Sequence, residues 1–169
     1  MGTITRGLKS IEFAPLVSDG GPGTVFSSWG LSDRDSSVTH VEGDPTLDRL
    51  YSHESDTALD VQVTGGEMPF LVTVVDPDLA TFAKAFGGTV TGTGATATYS
   101  FPSAKYIQDL TVKITPKKGL IETINRGSVY AKLNADYAKA GKVAIDIVVE
   151  PLLPEKTGVG PVTFGPMAT

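Results

Sequence analysis

The sequence predicts a mainly β fold, a sandwich or barrel of about seven to eight strands flanked by one α-helix. Three observations predict it. Short runs rich in Val, Ile, Thr and Tyr alternate with polar residues, and clusters of Gly and Pro punctuate them at near-regular spacing. A single stretch, VVDPDLATFAKAFGG, carries a helical period instead. With 169 residues and 40% hydrophobic content, the chain is long enough for one domain with a real core.

The first strand is expected near Leu8 to Phe13, before the Gly-Gly-Pro-Gly loop signal of VSDGGPG. Val38 to Val41 reads as a short strand. Then comes EGDPTLDRLYSHESD, Glu42 to Asp56, which is charged and without clear period, and reads as a long inter-strand loop. Long loops inside compact domains are functional or disordered more often than mere connectors. TALDVQV alternates, with Leu59, Val61 and Val63 on one face, as a half-buried strand does. FLVTVV is a continuous apolar run, expected to be covered on both faces.

The helix is expected over 77–86. Asp76 suits the N-cap, Pro77 the first helical position, and Asp78 adds negative charge at the positive helix end. Leu79, Phe82, Ala83 and Phe86 form one apolar stripe, and Gly87 suits a left-handed C-terminal cap. So short a helix is marginal alone in water, so the Leu79, Phe82 and Phe86 stripe must dock on a sheet. Its outer face offers Lys84 and Thr81 and no chemistry, which makes it structural.

After the helix, GTGATA resembles a dinucleotide fingerprint only superficially, because a strand and not a helix follows it. It reads as the loop of a hairpin, with TATYSF as a strand stopped by Pro102. YIQDLTVKIT turns Leu110, Val112 and Ile114 inward, with Asp109, Thr111 and Lys113 opposite. PKKG, Pro116 to Gly119, is a turn. SVYAKLNA puts Val129, Ala131 and Leu133 inward, and KVAIDIVVE does the same for Val143, Ile145, Ile147 and Val149. The closing PLLPEKTGVGPVTFGPMAT is rich in Pro and Gly. It reads as an extended C-terminal arm, residues 155–169, beyond a single β domain of residues 1–154.

Composition excludes several functions. There is no cysteine, hence no disulfide, thiol nucleophile or thiolate metal site. The net charge of −5 argues against bulk attraction to nucleic acid. Only Lys113, Lys117, Lys118, Arg126 and Lys132 hint at a positive patch. No run approaches the ~20 apolar residues that span a bilayer, and the opening MGTITRGLKS has no apolar signal core, so no membrane binding is expected. Charge is uneven: residues 1–60 hold ten acidic and four basic side chains, and residues 101–150 hold five and eight. That polarity suits two unlike faces that meet head to tail.

His40 and His53, near Glu42, Asp44, Glu54 and Asp56, could in principle hold a divalent ion. They lack any fixed ligand spacing, and a solvated acidic loop is the simpler reading. Asp33 with Asp35 and Asp76 with Asp78 read as caps or solvated turns rather than a glycosidase pair. No GxSxG elbow is present. Trp29, Tyr51, Tyr106, Tyr130 and Tyr137 show no planar grouping of the kind a carbohydrate-binding module uses. No catalytic residue, cofactor or metal is expected.

The order of features then carries a resemblance. An EGDPT segment follows an early strand, a strand leads into DPDLATFAKAFGG, and a Thr/Gly-rich hairpin comes next. TVKITPKKG, a pair of strands with Lys outward and a closing VEPLLP complete the order. From roughly Leu8 to Pro154 this resembles the major tail tube proteins of long-tailed bacteriophages, whose fold is related to tube proteins of contractile tails and injection systems. The resemblance implies a non-catalytic virion protein, assembled in the host bacterial cytoplasm, whose homohexameric rings stack head to tail into a hollow tail tube. It implies as partners other copies of the chain, a tape-measure protein and linear genomic DNA in the lumen, and tail terminator and distal tail proteins. The 42–56 segment would be the inter-ring contact, with Glu42, Asp44, Asp48, Arg49, Leu50 and Tyr51 as its residues. The alternatives are a tail terminator, a head decoration protein, a tube protein of a contractile injection system, or a carbohydrate-binding module.

Overall fold

The computed structural model describes residues 4–75, 77–138 and 141–168. Six strands precede the helix: β1 (Arg6–Pro15), β2 (Leu31–Ser32), β3 (Thr39–His40), β4 (Thr46–Ser52), β5 (Ser55–Thr64) and β6 (Phe70–Val75). The helix α1 is Leu79–Phe86. It is followed by β7 (Thr89–Thr91), β8 (Thr98–Ser100), β9 (Gln108–Lys118), β10 (Leu120–Ala135), β11 (Val143–Pro151) and β12 (Val162–Met167). Among the described residues the fold is mainly β, with one α-helix and a nearly closed, barrel-like sheet.

That principal sheet has eight strands in the order β1-β9-β10-β11-β6-β2, with β3 also on β6 and β12 also on β10. Every pairing in it is antiparallel. The alternation in the sequence fixes which face points in. Leu110, Val112 and Ile114 of β9, Val129 and Ala131 of β10, and Ile145, Ile147 and Val149 of β11 are all buried in one core. Phe70, Val72 and Val74 of β6 complete it. Full burial of each large side chain contributes about 1.5–3 kcal/mol, which is what holds the barrel. Leu133, expected inside, is 48% exposed, because β10 runs on past the end of the core.

The barrel closes where β1 approaches β2. Phe13 and Ser27 exchange backbone hydrogen bonds at 2.9 and 2.8 Å across this seam. Trp29 stacks on Phe13 with ring centroids 4.1 Å apart and fills the slot between the two edges. The outward face of β9 is covered too. Thr111, expected on the polar side, is buried beneath residues 16–28, donating to the Asn125 carbonyl at 2.9 Å and accepting from Gly23 N at 2.6 Å.

Other expectations need correction. Residues 42–56 are not a loop: β4, the turn at 53–54 and the start of β5 lie within them, and β4 and β5 pair as an isolated antiparallel hairpin. Leu59, Val61 and Val63 therefore lie on that hairpin and not in the core. The C-terminal stretch is not an extended arm. Its β12 pairs with the first half of β10, Ile124 opposite Val162 and Glu122 opposite Phe164. A register shift between Ile124 and Gly127 lets β10 exchange β12 for β11 as its neighbour. Within it, Asn125 donates from Nδ2 to Gly160 O at 2.8 Å and to Thr163 Oγ1 at 2.6 Å, fastening the returning chain. Turn and strand bounds also move: β9 continues to Lys118, and Gly119 alone, at φ 116°, makes the turn into β10.

The helix starts later than expected. Asp78 is its N-cap, with the carboxylate accepting from Thr81 N at 2.6 Å, and Asp76 lies outside the described residues. Gly87 ends it at φ 71°, ψ −143°, outside the left-handed helical region but still a backbone conformation suited to glycine. The fully buried face is Thr81, Ala85 and Phe86, so Phe86 docks as expected while the rest of the stripe is rotated. Leu79 and Phe82 are only half-buried.

Candidate assembly surface

The β4–β5 hairpin stands off the barrel. Every residue from Val41 to Tyr51 is exposed. Register places Leu47 opposite Val63 and Arg49 opposite Val61, so these side chains share one face with Leu59. Asp48 opposite Gln62 and Leu50 opposite Asp60 form the other face. The first face is an apolar strip open to water: Leu47 is 45% exposed, Val61 47%, Val63 59% and Leu59 64%. A lone two-stranded hairpin is marginal in water, so this strip needs a partner surface outside the chain's own barrel.

Of the residues expected at an inter-ring contact, Glu42 and Asp44 sit in the root before β4, while Asp48, Arg49, Leu50 and Tyr51 are in β4 itself. The hairpin brings Asp48, Arg49 and Leu50 alongside Gln62, Val61 and Asp60, residues that sequence reasoning assigned to a core strand. The signal that could have found them is the strength of β5's alternation next to a charged neighbour of similar length.

The root is tied to the barrel. Gly43 N donates to Glu67 O at 2.7 Å, and Gly66 packs against Gly43 so closely that a side chain would collide with its carbonyl. Just outside that crossing, His40 pairs with Glu122 of β10 through Nδ1 and with the Met68 carbonyl through Nε2 at 3.1 Å. The Glu122 hydrogen bond raises the His40 pKa above its ordinary value, against the opposing effect of burial. His53 lies at the far tip of the hairpin, in the turn between β4 and β5. The two histidines thus occupy opposite ends of the hairpin, and among the described residues no three His, Asp or Glu side chains converge where a metal could sit.

The other end of the molecule carries aromatic rings. Phe82 and Phe86 meet Tyr99 and Phe101, with Phe101 5.2 Å from Phe86 and 5.0 Å from Tyr99, edge to face. Tyr99 donates to the Gly87 carbonyl at 2.7 Å, which ties β8 to the helix end. Trp29, Tyr51, Tyr106, Tyr130 and Tyr137 are scattered, with Trp29 buried in the barrel seam and Tyr51 on the hairpin. Among the described residues no helix is long and apolar enough to cross a membrane. Set against known protein families and curated proteins, the chain matches none.

Proposed function

We propose that this chain is a structural subunit of a virion tail tube, forming hexameric rings that stack head to tail around a lumen for genome passage. The observation that carries the reading is the projecting β4–β5 hairpin, whose apolar strip of Leu47, Leu59, Val61 and Val63 is left uncovered by its own barrel. A compact, nearly closed barrel with one such arm is a subunit built to reach another subunit. The order of sequence features that resembles major tail tube proteins supports the same reading. So does charge: six chains of −5 make a strongly acidic ring, along which a polyanion slides rather than sticks. In this role the lumen holds the tape-measure protein and then linear DNA, and terminator and distal tail proteins close the tube ends. No catalysis is assigned to the chain.

Electron microscopy of the purified protein tests this. Rings and tubes are expected on concentration. Because Gly43 and Gly66 already touch, residues 44–65 can be replaced by a short turn. That variant should keep its fold and lose stacking. Persistent monomers at every concentration would overturn the proposal, and closed rings that never stack would move it to a tail terminator.

A further inference from the structure

We infer that the cleft between the 32–38 segment and the paired ends of β1 and β9 binds a single-chain anionic amphiphile, in its simplest form a medium-chain carboxylate. The inference goes beyond the tube-subunit reading and does not depend on it.

Two adjoining cavities make the cleft. One, of about 330 Å³, is lined by Leu8, Val38, Ile114 and Pro116, with Arg6 as its charged residue. The other, of about 530 Å³, shares Leu8 and Val38 with the first and adds Arg34, Lys117 and Ser32. Small-ligand sites occupy roughly 300–1,000 Å³. Ile114 and Pro116 are buried, and Leu8 and Val38 are half-buried and packed on the core, so the barrel itself fixes the apolar floor. Pairing places Leu8 opposite Pro116 and Arg6 opposite Lys118, so one face of this sheet passes from apolar to cationic within two residues. Lys117 lies across Gly7, whose missing Cβ leaves room for its stem; a Cβ there would stand 3.3 Å from Lys117 Cδ.

The charge of the cleft selects the ligand. The chain is −5 overall, yet among the described residues Arg6, Arg34 and Lys117 form no ion pair. Asp33 is the one acid in the cavity walls, and its carboxylate, 6% exposed, is engaged by Lys142 and Ser36. An apolar floor flanked by three unpaired cations fits a ligand of the same pattern. Its alkyl tail covers Leu8, Val38, Ile114 and Pro116, and its anionic head meets Arg34 and Lys117. A guanidinium takes a carboxylate through two parallel hydrogen bonds, and burial of the tail removes apolar area from water. A cationic head would meet like charge, and a small inorganic anion would leave the floor wet. An acidic peptide strand is the rival occupant. Added to the outer edge of β1, it would need a regular ladder, which Gly7 at φ 69° and the irregular register between Leu8 and Ser10 interrupt.

Isothermal titration calorimetry of the full chain with decanoate, kept below its micelle-forming concentration, tests the site. A single saturable site per chain is expected. Its affinity should fall about tenfold or more in the double variant Arg34→Glu/Lys117→Glu, which loses both head contacts. The double variant Lys84→Glu/Lys132→Glu changes net charge equally away from the cleft and should bind as wild type does. Val38→Trp fills the apolar floor and should abolish binding, while acetate and decyltrimethylammonium should not bind at all. Decanoate that fails to saturate, binds no tighter than acetate, or ignores the Arg34/Lys117 reversal overturns the inference. Equal affinity for decyltrimethylammonium overturns it too, since charge would then select nothing. Binding of an acetylated Glu-Leu-Glu-Leu-Glu peptide with none of decanoate would also overturn it and give the cleft to a strand.

Discussion

His40 on β3 faces two acceptors, the Glu122 carboxylate at Nδ1 and the Met68 carbonyl at Nε2, 3.1 Å away. A neutral imidazole has one donor, so only the imidazolium satisfies both partners while Glu122 is ionised. His40 precedes β4 and Met68 follows β5, so the ring spans both legs of the hairpin and holds them to β10. The pair is largely withdrawn from water, at 9% and 16% side-chain exposure, and the Phe70 ring meets the imidazole edge-on at 6.1 Å.

Alkaline pH should therefore loosen the hairpin root. The folded-state pKa of His40 is raised, chiefly by the Glu122 hydrogen bond, so its stabilisation is fully present below the ordinary value of about 6.5. It is lost as pH rises through the raised value. Urea midpoints should fall across that window, and amide exchange in β4 and β5 should quicken. Glu122→Gln should flatten the profile, and Glu122→Ala should cost about 1–2 kcal/mol at pH 6 by removing the hydrogen bond and leaving burial to favour the neutral ring. A wild-type midpoint that does not move between pH 6 and the alkaline side would refute this.

Asp33 carries the opposite dependence. Its carboxylate accepts from Lys142 Nζ, from Ser36 Oγ at 2.6 Å and from Asp35 N at 3.1 Å, and the Lys142 contact above all holds its pKa down to about 2. A depressed carboxylate stabilises above its ordinary value and loses that contribution as pH falls toward the folded pKa. Asp33→Asn should thus be less stable than wild type at pH 7 and converge with it near pH 2. Parallel curves that keep their separation down to pH 2 would show the carboxylate charge is not the cause.

Gly66→Ala tests the hairpin root by shape alone. A Cβ there would strike the Gly43 carbonyl, a backbone group that cannot rotate away. The Gly43 N to Glu67 O bond should be the first loss, costing about 1–3 kcal/mol, in the range of other strained substitutions. The barrel should survive, with an unchanged near-ultraviolet signal from Trp29, which is buried against Phe13 on the far seam. Wild-type stability and wild-type exchange rates in β4 and β5 would contradict the close approach.

The barrel was legible because its chemistry is periodic. Leu110, Val112 and Ile114 alternate with polar residues and point into the core. Leu59, Val61 and Val63 alternate just as cleanly, yet lie in water. Alternation reports that one face of a strand is apolar, not whose surface covers it, and that is why a projecting arm reads as a core strand. Its partner β4 was hidden because Asp48, Arg49 and Leu50 break the period. At the other end, Pro and Gly in 155–169 argued against a strand, but β12 needs only a few paired residues along β10. The candidate hairpin residues were visible through their charge and length. The aromatic cluster was not, because it joins residues of α1 and β8 with Phe101, which only the fold brings together.

The rotated helix face gives the last test. The sequence pattern assigns Leu79, Phe82 and Phe86 to the docked stripe; Phe86 is fully covered, but together with Thr81 and Ala85, while Leu79 and Phe82 are only half-buried. Phe82 sits at the margin, with its centroid 6.0 Å from Phe86, 5.5 Å from Tyr99 and 6.3 Å from Phe101. Phe82→Leu should cost about 1 kcal/mol, a partial loss of buried apolar area. Phe82→Asp sets a charge among these rings and should undock α1, lowering the thermal midpoint sharply. Ala85→Asp should be at least as damaging, since Ala85 is 1% exposed, while Leu79→Asp should be the mildest of the three charged variants. Circular dichroism melts of the three rank them. A Leu79→Asp protein that melts lowest would restore the face expected from the sequence and refute the rotation.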